Sequence, residues 1–224
     1  MALEIEYKKP HHWGWLIFLV ILIAALAVTG WYGYRWYTTG EQPPIPVPIV
    51  SANASVDETE ITPAQIQQYT VPAFNPRYIR IESLNIDKTR IYPVGLTANN
   101  LIDTPKNIND VAWYEKSATP GSGGVMILNG HNGGSSRDGI FAKLGTLKIG
   151  DRLTLERGDG QKFNYKVVEN QSMTIEEVNA TGMAKMGQSA EDGKEALNII
   201  TSDGKWVPRL GMYDRRIMLR AVIE

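Results

Sequence analysis

The chain has 224 residues, 43% of them hydrophobic, and a formal net charge of -1 at pH 7. That leaves room for one ordinary domain plus some non-globular sequence. The near-neutral balance, with no basic run and no interleaving of aromatic with basic residues, excludes a nucleic-acid grip. There is no cysteine, which removes disulfides, thiolate metal sites and a cysteine nucleophile together.

From Trp13 to Tyr34 no side chain is charged, and Trp15 to Val28 is apolar throughout. As a helix this stretch spans roughly 33 Å, at about 1.5 Å per residue, which matches a bilayer's hydrocarbon core. Trp13, Trp15, Trp31, Tyr32, Tyr34, Trp36 and Tyr37 gather at its ends, where amphipathic rings prefer the lipid–water boundary. Lys8 and Lys9 precede it, and only Arg35 follows before Arg77. This bias favours a cytoplasmic N-terminus over residues 1–12, an uncleaved anchor over 13–34 and an exported remainder. A cleaved signal peptide is the alternative, since Ala25-Leu26-Ala27 has the look of a cleavage site; the length of the span and the aromatics after it argue for the anchor.

Residues 35–76 are polar and carry Pro43, Pro44, Pro46, Pro48, Pro63, Pro72 and Pro76. Proline fixes φ and removes donors, so the segment reads as an extended extracytoplasmic spacer. Thr62 to Tyr69 has the makings of a helical turn or two, with Pro63 in the first turn.

From residue 77 to 224 the texture is short β-type runs. Tyr78 to Ile81 and Lys88 to Tyr92 alternate apolar with polar, and Val125-Met-Ile-Leu128 reads as a strand buried on both faces. Arg152 to Leu155 and Lys162 to Val168 flank Gly158-Asp-Gly160, a hairpin signal. Leu197 to Ile200 and Arg216 to Ile223 complete a set of about eight strands, which points to an all-β barrel or sandwich. Short helices are expected near Ile140 to Leu144 and Ile175 to Met186.

Three histidines exist. His11 and His12 fall at the start of the anchor and read as interfacial. His131 follows the Val125–Leu128 strand between glycines, a setting suited to a general acid or base, though taken alone such a histidine is more often a turn residue with no chemistry. Ser202 ends an apolar strand and runs into Asp203-Gly204; alone it is a turn serine. Arg215 and Arg216 open the last strand, and their plain reading is a solvated pair.

Taken in order, these pieces resemble the sortase family, the cysteine transpeptidases of bacterial cell surfaces. Leu101-Ile-Asp-Thr-Pro105, Val111-Ala-Trp-Tyr114 and Thr119-Pro-Gly121 resemble the stretch leading to that family's histidine. Ile127-Leu-Asn-Gly-His131 is similar to its glycine–histidine motif, and Phe141, Leu144, Leu147 and Gly150-Asp151 recur downstream. Asn198-Ile-Ile-Thr-Ser202 falls where sortases carry Thr-Leu-x-Thr-Cys, and Tyr213-Asp-Arg-Arg-Ile-Met-Leu219 matches the strand opened by the catalytic arginine. The texture is nearest to the shorter classes D, E and F.

The resemblance implies a closed eight-stranded sortase-type β-barrel with short helices, behind one transmembrane helix. It also implies a groove where His131 is the proton-transfer partner, Ser202 occupies the nucleophile position and Arg216 stabilises an oxyanion. Register favours Arg216 over Arg215, because neighbouring residues of a strand point to opposite faces. The partners implied are a Thr-Gly sorting signal of an exported surface protein or pilin and an amine acceptor such as a cell-wall precursor. No cofactor is expected, and one exported histidine without a cysteine–histidine cluster makes no common zinc site.

Serine changes the chemistry. A thiol titrates near 8.5, roughly, and nearby positive charge lowers it further, whereas a hydroxyl needs a base taking its proton as it attacks. Serine triads also orient the histidine with a buried acid, and the spacing assigns neither Asp138 nor Asp203 to that place. Three readings stay open: a sortase-fold binder without turnover, a histidine-activated serine enzyme, or a cysteine-to-serine replacement in an active transpeptidase. Asn198, where the motif has threonine, is a second departure and reads as drift of the site.

Overall fold

The computed structural model describes residues 13–44 and 56–224. The expected cytoplasmic N-terminus and the middle of the spacer lie outside those residues.

Helix α1 runs from Trp13 to Thr39. Its apolar side chains face outward on every side and none is buried, as an amphipathic stripe would not allow. It is long and apolar enough to cross a membrane, with a mean hydropathy of 2.3. It stops at Gly40, whose φ of 71° lets its N–H close on the Trp36 carbonyl at 3.0 Å, the left-handed cap that glycine adopts without strain.

Residues 77–224 form a closed eight-stranded barrel. The strands are β1 (Pro76–Ile81), β2 (Ile86–Val94), β3 (Val111–Tyr114), β4 (Val125–Gly130), β5 (Arg152–Arg157), β6 (Lys162–Thr174), β7 (Ala196–Val207) and β8 (Met212–Ile223). Around the barrel the order is β1-β2-β3-β4-β7-β8-β6-β5. Most pairings are antiparallel, but β2 lies parallel to β3 and β4 parallel to β7. Closure leaves no sheet edge unpaired.

Alternation fills the barrel. Ile79, Ile81, Ile91, Leu128, Leu153, Leu155, Tyr165, Leu197, Ile199 and Leu219 are wholly buried within it. In β4, expected to be buried on both faces, only Met126, Leu128 and Gly130 are buried; Val125, Ile127 and Asn129 are half-buried. The outer face of β4 is thus only partly covered, where Asn129 bonds to the Ile102 and Asp103 carbonyls. A second cluster of Met173, Val178, Met186 and Met218, with Ile200 against it, sits outside the barrel wall. It lies under the helical segment α3 (Ile175–Glu177), a π-helical turn (Val178–Gly182) and α4 (Met183–Met186). This matches the helix expected there; the one expected near Ile140 is instead turns leading to a 3-10 turn at Leu144–Thr146.

Before the barrel, α2 (Pro63–Gln68) begins at Thr62, which forms a reciprocal capping box with Gln65. Much of the segment read as spacer is bound to the barrel. Tyr69 donates its hydroxyl to the Ile91 carbonyl, Arg77 Nε donates to the Tyr69 carbonyl at 2.8 Å, and Gly158 donates to the Asn75 carbonyl at 2.9 Å.

Candidate active site

The parallel pairing of β4 with β7 runs from Val125 opposite Ala196 to Asn129 opposite Ile200. Thr201 then donates its hydroxyl to the Gly130 carbonyl at 2.8 Å, so the strands stay together where β4 ends. Continuing the register brings His131 opposite Ser202. Leu197 and Ile199 point into the barrel with Met126 and Leu128. Asn198, Ile200 and Ser202 therefore share the outer face with Ile127, Asn129 and His131.

The neighbouring strand follows the same rule. In β8, Ile217, Leu219 and Ala221 point into the barrel, which puts Arg216, Met218 and Arg220 on the outer face. His131, Ser202 and Arg216 thus lie on one face of three consecutive strands, β4, β7 and β8. Arg215 has the opposite parity. Its Nε donates to Ser172 Oγ at 2.8 Å and its Nη2 to the Ser172 carbonyl at 2.7 Å.

His131 is buried, and its Nε2 lies 2.7 Å from the Pro105 carbonyl. A carbonyl only accepts, so Nε2 carries the proton and Nδ1 is the nitrogen able to receive one. The oxygens of Ile102 and Asp103, just before Pro105, accept from Asn129 Nδ2 at 3.4 and 3.2 Å. Among the described residues no carboxylate is bonded to the ring. Asp203 accepts from Ser172 Oγ, and Asp138 sits in a bridge opposite Gly133. The orienting group is a backbone oxygen, and no side-chain pattern announces one.

The Ser202 hydroxyl makes no hydrogen bond among the described residues, unlike Thr201 beside it. Arg216 donates through Nη1 to the carbonyls of Tyr213 and Arg215, at 2.9 and 2.8 Å. Its Nε and Nη2 have no partner among the described residues. Burial pushes the guanidinium below its ordinary pKa, against the opposing charge of Asp214. A part-buried cation that bonds no carboxylate among the described residues, with N–H groups to spare, is suited to an incoming anion.

One wall of this face is the helical segment after β6. Asn198, wholly buried, donates through Nδ2 to the carbonyls of Met186 and Gln188 at 2.9 and 3.1 Å. Arg220 donates to the Gln188 carbonyl at 3.2 Å and to Glu169 at 2.7 Å. The asparagine is therefore a latch for the end of α4 through Nδ2, a packing role that stands beside the reading of it as drift, while its buried Oδ1 has no partner among the described residues. A cavity of about 300 Å³ elsewhere is lined by Glu60, Arg90, Asp110, Arg137 and residues around them, and includes none of the three predicted site residues. Among the described residues no group of three or more His, Cys, Asp and Glu is placed to hold a metal.

A sortase-domain family model matches residues 79–224. No curated protein sequence matches the chain. Among solved structures, it is similar to a lid mutant of sortase A from Corynebacterium diphtheriae, at 19% identity over 70% of this chain and 73% of that one, with a TM-score of 0.49. It is also similar to sortase C1 from Streptococcus agalactiae, at 22% identity over 73% and 77%, TM-score 0.48. A third is a sortase D5 transpeptidase from Clostridium perfringens, at 18% identity over 72% and 86%, TM-score 0.47. By the family match across its whole barrel, this chain belongs to the sortase family, and it does so without a cysteine.

Proposed function

We propose that this is a membrane-anchored sortase-type acyl-transfer protein that captures a Thr-Gly sorting signal and turns it over slowly, because Ser202 stands at the nucleophile position. The observation that carries the reading is the outer face shared by His131, Ser202 and Arg216, where, among the described residues, the Ser202 hydroxyl is unbonded and two Arg216 nitrogens have no acceptor. Ser202 Oγ attacks the threonine carbonyl and its proton passes to His131 Nδ1. Arg216 takes the oxyanion of the tetrahedral species. Collapse breaks the peptide bond, and the glycine amine leaves with the proton from His131. The ester on Ser202 is then attacked by an acceptor amine, which regenerates the hydroxyl.

The slow step is the first. A thiol near 8.5, roughly, is within reach of one neighbouring cation, while a hydroxyl relies wholly on its base. That base is oriented here by the Pro105 carbonyl, and among the described residues no carboxylate is bonded to it to stabilise the imidazolium as a serine triad requires. The same observation favours, as the second reading, a peptide-binding protein without turnover over a serine hydrolase.

The sorting signal belongs to exported surface proteins or pilins, and the acceptor is an amine such as that of a cell-wall precursor. Class D, E or F is the nearest assignment, with α1 as an uncleaved anchor, the N-terminus cytoplasmic and the barrel outside. Replacing Ser202 with cysteine in the full-length protein tests the reading. Ser202→Cys is expected to cleave threonine–glycine peptides where the parent is near background. A folded Ser202→Cys protein silent across a panel of sorting peptides sinks it.

A further inference from the structure

Residues 57–59, inside the segment read as spacer, form a clip around His131. Asp57 pairs with Asn107 as a short parallel bridge: its N–H donates to the Lys106 carbonyl at 3.1 Å, and its carbonyl accepts from Ile108 at 2.9 Å. The Thr59 carbonyl accepts from Asn107 Nδ2 and Asn109 Nδ2 at 3.0 and 3.1 Å. These contacts hold the segment that begins at Pro105, whose oxygen orients the imidazole.

Between them, the Glu58 carboxylate reaches the other side. It accepts from the N–H groups of Ser135 and Ser136 and from the Ser136 hydroxyl. Its carbonyl takes a bond from Arg137 Nη1 at 3.2 Å. These partners lie in the loop that leaves His131 and folds back on it, with Phe141 donating to the His131 carbonyl at 2.9 Å. Gly134 leaves the room: a Cβ there would collide with the Glu58 carboxylate and with the Ile108 side chain.

One short strap therefore grips both the segment that orients His131 and the loop that carries it away. We infer that Glu58 is a positioning residue for His131, and that the Asp57–Thr59 strap couples the tether to the proton-transfer group of the site. It rests on the reading of His131 as the proton-transfer group. A carboxylate receiving several N–H and O–H donors locks a loop more firmly than neutral contacts do. Because the strap is itself part of the 35–76 segment read as spacer, a partner that pulls on or binds the spacer acts on His131 without touching the groove.

The test reads the imidazole itself. Nitrogen-labelled histidine in the full-length protein, held in detergent micelles, gives signals from only three residues, His11, His12 and His131. His131→Gln identifies the one that matters. The parent is expected to show one Nε2-protonated tautomer in slow exchange with water. Glu58→Ala should yield mixed tautomers exchanging about tenfold faster, the scale of one charge-assisted bond lost. Gly134→Ala, which displaces the carboxylate without removing it, should do the same; Glu58→Gln, which keeps one acceptor oxygen, should fall between.

Parent-like tautomer and exchange in both Glu58→Ala and Gly134→Ala overturn the inference. If Glu58→Ala fails to fold, Gly134→Ala and Glu58→Gln carry the same comparison. The effect on the ring is measured without turnover. A shifted tautomer in a protein whose Ser202→Cys form is inert keeps the clip and discards the proposed function, whereas the reverse pattern discards the clip alone.

Discussion

His131 Nε2 donates to the Pro105 carbonyl at 2.7 Å, which fixes the ring's tautomer from the backbone and leaves Nδ1 as its base. In the Ser202→Cys protein, His131→Gln should lower peptide cleavage by about 10²–10⁴-fold, the range of a positioned acid–base. Urea unfolding of the barrel should move little. Equal cleavage by both proteins would remove His131 from the chemistry.

Arg216 and Arg215 differ by one position and one sheet face. Arg216→Ala in the Ser202→Cys protein should cost about 10²–10³ in turnover, as loss of an oxyanion donor does, chiefly in kcat. Arg215→Ala frees Ser172 and should change turnover far less. Steady-state kinetics on one peptide decide it; the opposite ranking would move the oxyanion role to Arg215.

Asn198 is buried, and its two Nδ2 bonds end on α4 and the residue just beyond. Asn198→Thr restores the family's motif residue yet gives up at least one of the two Nδ2 bonds to the end of α4. We expect a loss of about 1–3 kcal/mol in urea unfolding and no gain in the Ser202→Cys rate. A rate increase without destabilisation would favour drift as the explanation.

The Glu58 carboxyl is held below the usual glutamate range, first by the Ser136 hydroxyl, then by the Ser135 and Ser136 N–H groups and the Arg137 charge. A depressed acid contributes above its unfolded pKa, and that contribution is lost as pH falls through the folded one. Asp57, also held low by Thr59, and Glu60 face the same strap. Exchange protection of the Ser135 and Ser136 amides, corrected for intrinsic rates, should thus persist through mild acid and collapse below the glutamate range. In Glu58→Gln that step should be absent.

Glu195 is a buried carboxylate satisfied by the N–H groups of Gly121 and Gly123, at 3.0 and 2.8 Å, and by the Tyr165 hydroxyl at 2.5 Å. Burial and this carboxylate push the Tyr165 hydroxyl far above its ordinary pKa. Glu195→Gln turns an acceptor into a donor facing donors. It should cost about 1–3 kcal/mol in chemical denaturation, and Tyr165→Phe should cost less than Glu195→Gln, because the two N–H groups keep their acceptor.

The order of His131, Ser202 and Arg216 between apolar runs was legible because strand period and turn chemistry are local. So was the α1 span, since a stretch apolar on every face needs no partner to be recognised. The parity that separates Arg216 from Arg215 also follows from the β period of two, once the inward residues of β8 are known. What orients the site was not legible. The Pro105 oxygen is backbone, which every residue carries, and its position depends on a loop closing across β4.

The strap is a second case. Asp57 to Glu60 reads as part of a polar spacer, and only the folded barrel brings it against Asn107 and Ser136. Asn198 reads as a lost motif residue until α4 is seen packed over it. By itself the sequence determined the long apolar helix, the strand pattern and the order of the candidate groups, because these depend on neighbours along the chain. Tertiary structure alone decided which face those groups share, which oxygen holds His131 and what grips its loop, because those bonds join residues distant in sequence.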